Sequence, residues 1–396
     1  MKAKKILVIL IAVLMIATVF AGCAPKQKPS EGGGQKPAET KIKIGLVTDV
    51  GGRGDRSFND SALRGLEMWA AKVKYVKGGG YQPLTDAEYK ASIPDDLKDK
   101  DIHPLNITPV VLESKAKEDY VPNLTTLAEQ EHCDLVIGVG FMLAGAVGEV
   151  AAKHPNTKFM LIDALPVDSQ GKVVNLPNVV SYLFKENQCG FLVGAIAGYA
   201  TKTNKIGYIG GMKIPPVLRY QAGFEAGVKT TNPKAKIISQ YAGSFTEPAK
   251  GKASAESMIA QGADVLFHAA GATGNGMFQA LCEKNNPNLW GIGVDVDMGK
   301  DPNLCPDRTL TSALKHVDYA TYLAIKSVVD GTFKGGVITM SLKDGGVGYA
   351  PDHVKDVLSA DQIKKVNELA NLIKEGKVVV PEDPSKVGSW TPPSDF

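Results

Sequence analysis

The sequence predicts an α/β protein of two lobes, each a parallel sheet with helices on both faces. Three observations lead there. From residue 41 onward, short runs rich in Val, Ile and Leu alternate with amphipathic stretches, which is the pattern of strands buried on both faces and joined by crossover helices. The runs fall into two consecutive series, which calls for two sheets. The 356 residues from 41 to 396 also exceed what a single core usually holds.

The first series reads "KIKIGLVTD" (41–49), "ITPVVLES" (107–114), "CDLVIGVG" (133–140), "KFMLID" (158–163) and "VVSYLF" (179–184). The second reads "KIGYIGG" (205–211), "KIISQYAG" (236–243), "DVLFHAAG" (264–271), "LWGIGVDVD" (289–297) and "LTSALK" (310–315). Helical patterns between them cover 60–72, 121–131, 186–199, 220–230 and 253–261. Residues 74–106, rich in Gly, Lys, Asp and Pro, break the alternation and read as a surface insertion. A further helix is expected over 359–375, before a polar, Pro-rich tail. The expected division is 41–183 plus 316–335 for the N-terminal lobe, 184–315 plus 336–380 for the C-terminal lobe, and 381–396 for the tail.

Residues 1–22 have the pattern of an export signal. Lys2, Lys4 and Lys5 precede an apolar run of fifteen residues, 6–20, short for a membrane span but suited to a signal-peptide core. The run ends in "FAGC", which resembles the lipobox of bacterial lipoproteins, with Phe20 where that pattern prefers Leu. The resemblance implies lipidation of Cys23 and a chain anchored to the cell membrane on its extracytoplasmic face. Residues 23–40 contain "APKQKPSEGGGQKPAET", a flexible tether. Without the three leader lysines the charges balance, 42 Lys+Arg against 42 Asp+Glu, which argues against nucleic acid as a partner. With Cys23 lipidated, Cys133, Cys189, Cys282 and Cys305 remain. Four cysteines allow three pairings; Cys282 with Cys305 is the most local, and Cys133 and Cys189 sit in apolar surroundings that suit buried thiols.

Enzyme signatures are absent or broken. Neither G-x-S-x-G nor H-E-x-x-H occurs. The Gly-Lys at 251–252 lacks the glycine that a phosphate loop needs five residues earlier and is followed by Ala253. "GVGFMLAG" (138–145) and "GATGNG" (271–276) have the wrong glycine spacing for a dinucleotide loop. The six histidines are dispersed, and His268 in an apolar strand reads as a core residue. No metal and no cofactor is called for, and the chain does not read as an enzyme.

Acids, amides and aromatics at strand ends carry more meaning, because open α/β sheets bind ligands beyond the C-terminal ends of their strands. Asp49, Gly140, Asp163, Gly271 and Asp295 all stand there. Ser57 with Asp60 reads as a capping box that starts a helix and puts Phe58 and Asn59 in its first turn. Phe58 either tucks under that helix or faces the cleft; Asp49 either caps the turn or faces the ligand.

"GLVTDVGGRGDRSFND" resembles the opening signature of the basic membrane protein family, nucleoside-binding lipoproteins. "GVGF", "FMLID", "FKENQCGFLVGAIAG", "KIGYIGG", "GFEAGVK", "YAGSF", "AGATGNG", "GIGVDVD" and "LTSALKHVD" follow in the same order. Residues 74–106 and the tail lie outside the resemblance. It implies a type I periplasmic-binding-protein fold, with two doubly wound parallel-sheet lobes joined by a three-strand hinge. The implied protein is a monomeric substrate-binding lipoprotein that takes a purine nucleoside in the cleft and feeds an ABC permease. Phe58 and Phe245 would sandwich the base, and Asn59 would bond its edge. Asp49 and Asp295 would accept from base or ribose, Lys315 would approach the sugar hydroxyls, and Gly271 would let the backbone come close. Gly145 stands where relatives often carry an Asp, so another flat heterocycle such as a flavin stays open. Other readings of the same fold are a ligand sensor and an exported nucleoside hydrolase, which would need a metal-binding carboxylate cluster.

Overall fold

A computed structural model describes residues 41–394 and 396; the leader, Cys23 and the tether lie outside the described residues. Every apolar run in the two series forms a strand. In chain order the strands are β1 Lys43–Val47, β2 Val73–Val76, β3 Gly80–Pro83, β4 Thr108–Leu112, β5 Leu135–Gly138, β6 Lys158–Ile162 and β7 Val179–Phe184. They continue as β8 Lys205–Gly210, β9 Lys236–Tyr241, β10 Val265–Ala269, β11 Trp290–Asp295, β12 Thr309–Lys315, β13 Gly336–Met340 and β14 Val347–Tyr349.

Two six-stranded sheets result, ordered β4-β1-β5-β6-β7-β13 and β9-β8-β10-β11-β12-β14. All their pairings are parallel except that of β14 with β12. In each sheet the order reverses at the first strand of the series, between β1 and β5 and between β8 and β10. Loops leaving the two strands at such a reversal part to opposite faces and open a crevice. Central strands are buried on both faces, as parallel sheets require: β5 and β10 are buried throughout.

The chain passes between the sheets three times, and the crossings are bonded side by side. Lys185 N–H donates to the Met340 carbonyl at 2.9 Å, and His316 N–H to the Gly346 carbonyl at 2.9 Å. Leu342 N–H donates to the Gln188 side chain at 2.9 Å. The third crossing comes later than expected. β13 pairs with β7 in the first sheet, so residues 336–340 belong there and not with the second lobe. Its side chains are mostly exposed, as suits an edge strand, and "GVITM" lacks the apolar flanks that marked the buried strands.

Residues 74–106 have structure of their own. β2 and β3 form a hairpin, and Thr85 and Glu88 close a capping box on the helix Asp86–Ala91. Leu97 and Leu105 reach the main core. The tail also docks on the second lobe: Trp390 packs edge-on against Phe191, and the Lys229 ammonium binds the carbonyls of Val387, Gly388 and Trp390. Cys282 and Cys305 form a disulfide, while Cys133 and Cys189 are buried free thiols.

Candidate functional site

β1 delivers Asp49 two residues beyond its buried end, and the next ten residues fold back around it. Asn59 donates from its amide to Asp49 Oδ1 at 2.8 Å and accepts from the Asp49 N–H at 3.2 Å. Gly51 N–H donates to the same carboxylate oxygen at 2.8 Å. Ser57 and Asp60 do not form the expected capping box; the Ser57 hydroxyl is buried without a partner. Asp55 caps instead. Its carboxylate accepts from the N–H groups of Ser57, Asn59 and Asp60 at 2.9, 2.8 and 3.1 Å, and from the Asn59 amide at 2.9 Å. An Asp two residues before a Ser can bend its side chain back to the helix start, and it satisfies more orphan N–H groups than the serine could. The helix Phe58–Leu63 therefore begins rigidly at Phe58.

Asp49, Phe58, Asn59, Phe245, Gly271, Asp295 and Lys315, the expected ligand residues, all line one cavity between the lobes. The lining encloses about 620 Å³, its mouth included. Phe58 comes from the first lobe and Phe245 from the second, and each ring is backed by glycine. Gly140 follows β5 at φ 111°, and a Cβ there would stand 3.1 Å from the Phe58 ring. A Cβ on Gly211 would stand 2.2 Å from the Phe245 ring, so only glycine lets that aromatic lie where it does. Gly271, at φ 54°, starts the helix Ala272–Lys284 next to Phe245, whose carbonyl accepts the Thr273 N–H at 3.1 Å.

Asp295 ends β11 at φ 65°, and Asp163 follows β6 at φ 67°; both are non-glycine residues in the left-handed region, which Asp enters more readily than most residues. Tyr220 donates its hydroxyl to Asp295 Oδ1 at 3.1 Å. The Lys315 ammonium binds Asp163 Oδ2 at 2.6 Å and Glu186 Oε1 at 3.0 Å, and Arg219 Nε binds Glu186 Oε2 at 2.6 Å. The same ammonium lies 5.0 Å from the ring centres of Phe58 and Phe184. Lys315 was expected to face sugar hydroxyls; it lines the cavity, but two of its three donors are already committed to carboxylates.

Burial governs the site's charges. It pushes Asp295 up to about 7 against the pull of Lys315, and Asp163 up to about 6 in the same way. Burial and the neighbouring Asp60 raise Asp55 to about 7. Burial likewise raises Asp49, against the hydrogen bonds from Asn59 and Gly51. Burial would raise Glu186 too, but Lys315 and Arg219 outweigh it and hold that carboxyl below its ordinary value.

The cavity also holds Asp163, expected at the cleft but given no ligand role, and Tyr220 and Met142, which were not expected as site residues. Asp163 was legible as an acid at a strand end; Tyr220 sits inside a helix and gave no signal. Gly145 lies off this cavity, on the adjoining opening beyond Phe141 and Met142, so it is not a missing contact of the main site. His268 is fully buried outside the cavity, its ring against Met298, and burial pushes it down to about 3. Among the described residues no group of three or more His, Cys, Asp or Glu is placed to hold a metal ion.

A sequence model described as "ABC transporter substrate-binding protein PnrA-like" matches residues 41–384, and so runs through 74–106 as well. The chain is 33% identical to the ABC transporter nucleoside-binding protein BmpA of Lactococcus lactis over 397 residues, covering 96% of this chain and 99% of that protein. It is 36% identical to an uncharacterized lipoprotein of Pyrococcus horikoshii over 419 residues, covering 96% and 92% of the two chains. An ABC-transporter solute-binding protein of Aeropyrum pernix has a similar structure, with TM-score 0.69 and 29% identity over 88% of this chain and 96% of that one. The fold is that of type I periplasmic binding proteins. With the family match spanning both lobes and the cleft between them, the chain belongs to the Bmp family of ABC-transporter substrate-binding proteins, whose members bind solutes and are not enzymes.

Proposed function

We propose that the protein captures a nucleoside, a purine nucleoside first of all, in the cleft and presents it to an ABC permease from a lipid anchor at Cys23 on the extracytoplasmic face. The observation that carries the reading is the convergence of Phe58 and Phe245 from opposite lobes on one cavity that also holds Asp49, Asn59, Asp163, Asp295 and Lys315. Two aromatic faces suit a flat heterocycle, whose stacking adds to the burial of its area. Buried carboxylates suit hydroxyl and amino donors, and a nucleoside offers both. The name of the Lactococcus relative supports the same ligand class.

Calorimetry with purified protein against nucleosides, free bases and riboflavin tests this. Purine nucleosides should give saturable heat at 1:1 stoichiometry, and bases without ribose should bind more weakly. Heat with riboflavin and none with any nucleoside would overturn the assignment.

A further inference from the structure

Behind the cavity, four side chains of alternating charge form a chain, three of them buried and Arg219 partly exposed on the adjoining opening. Asp163 closes β6 of the first lobe, Lys315 ends β12 of the second, Glu186 opens the helix Glu186–Ala200 at the first crossing, and Arg219 projects from the helix Pro215–Thr231. Glu186 is 0% exposed, and each of its oxygens holds a different cation. A buried carboxylate between two cations is stable only while both remain, and removal of either leaves an uncompensated charge. Phe58, Phe184 and Tyr220 surround the ammonium on its apolar sides, with ring centres 5.0, 5.0 and 6.0 Å away. Of its three donors, one goes to Asp163, one to Glu186, and one is left. Asp163 Oδ1 is buried and has no partner.

We propose that Glu186 and Arg219, neither of which lines the cavity, are positioning residues: as a pair they hold the Lys315 ammonium at the cavity floor and so set the charge with which Asp163 meets the ligand. The inference rests on reading that cavity as the ligand site. Its logic is electrostatic. Glu186 disfavours ionisation of Asp163 and Arg219 favours it, so the two oppose each other at Asp163 while both are present. Lys315 favours the anion from the other side. The remaining groups facing this network are Asp295, Tyr220 and Cys189 within it, and Glu382, beside Arg219 and paired with Lys185.

The test is carbon-13 NMR titration of the side-chain carboxyls in ligand-free protein, with Asp163→Asn identifying the Asp163 resonance. Glu186→Gln removes a negative neighbour and should move the Asp163 midpoint down. Arg219→Gln removes a positive one and should move it up, each by roughly 0.5 unit or more. Arg219→Lys should keep the parent midpoint, and the double Gln variant should return toward it. A packing role alone would move neither midpoint, or both in one direction, and either result overturns the proposal. With a purine nucleoside, both single Gln variants should bind roughly tenfold more weakly than the parent while unfolding as cooperatively. Unchanged affinity in both variants would also overturn it. If the parent binds no nucleoside, the nucleoside reading fails instead, and the ligand-free titration still decides the positioning role.

Discussion

The two lobes follow one plan and furnish the cleft differently. Their sheets have the same order, and the corresponding strands β6 and β11 lead to an acid with nearly the same φ, 67° at Asp163 and 65° at Asp295. β5 and β10 lead to the positive-φ glycines Gly140 and Gly271. Lys185 and His316 precede the crossing helices with matching backbone angles, φ −90° and ψ 65° against φ −80° and ψ 68°. After the first strand the plans diverge. Beyond β1 stands the closed set of hydrogen bonds among Asp49, Asp55 and Asn59; beyond β8 stands Gly211, against which the Phe245 ring packs. Just after its first strand, one lobe thus offers a polar edge fixed before any ligand arrives, and the other a place for an aromatic wall. Preorganisation of the polar half matters most, because buried polar groups that must reorient would spend binding energy on ordering.

A buried ionic link joins the lobes, and breaking it should have the largest effect. Lys315 of the second lobe answers Asp163 of the first and Glu186 at the crossing. Lys315→Met keeps the length and removes the charge, leaving two buried carboxylates to face each other. Denaturant unfolding should show a loss of about 3–5 kcal/mol at neutral pH. Lowering the pH toward 5 should recover part of that loss, since protonation of either acid relieves the repulsion. A loss below about 1 kcal/mol would mean that the two lobes are held together by other contacts.

Next in size is the division of grip. Phe58→Ala and Asp295→Ala, one from each lobe, should each weaken nucleoside binding at least roughly tenfold and leave the fold intact. A large loss at Asp295 with none at Phe58 would assign the grip to the second lobe alone. The same comparison has a pH signature. Asp295 titrates near 7 in the ligand-free protein, so its neutral form is favoured below that pH. A carboxyl raised by burial contributes stability at low pH that is lost as the pH rises through about 7, the reverse of a salt-bridged acid. A ligand that donates to the anion restores it. Its thermal shift should therefore grow from pH 5.5 to 8, and Asp295→Asn should flatten that slope.

How far the sequence revealed this site depends on the kind of signal. β1, β5 and β10 were legible because burial on both faces leaves an unbroken apolar run, and Asp49, Asp163 and Asp295 because they end such runs. β13 and β14 were not, since an exposed edge strand and a three-residue strand carry no pattern. Phe245 and Lys315 came from family motifs; nothing in their spacing points to a cleft. Glu186, Arg219 and Tyr220 were invisible as site residues. They sit in helical stretches where a charge or a ring reads as surface or core, and only the packing of two helices onto the ends of β6, β11 and β12 makes them neighbours of the cavity.

The smallest expected effect bears on how the polar half of the cleft is built. By position Ser57 is the expected helix cap, yet its hydroxyl has no partner, while Asp55 holds three backbone N–H groups and the Asn59 amide. Ser57→Ala should then change stability by less than about 0.5 kcal/mol, because a hydroxyl that makes no hydrogen bond has none to lose. Asp55→Ala should cost about 1–2 kcal/mol, the range for losing a cap, and should also free Asn59 and Asp49 to reorient. Thermal unfolding of the two variants, with nucleoside affinity measured beside it, separates the roles: Asp55→Ala should weaken binding and Ser57→Ala should not. Equal losses in both would mean that the Ser57 hydroxyl shares the cap with Asp55, and a loss in Ser57→Ala alone would return the cap to Ser57. Buried next to Asp49 with its own carboxyl near 7, Asp55 is then the residue through which the first lobe keeps its polar edge in place before closure.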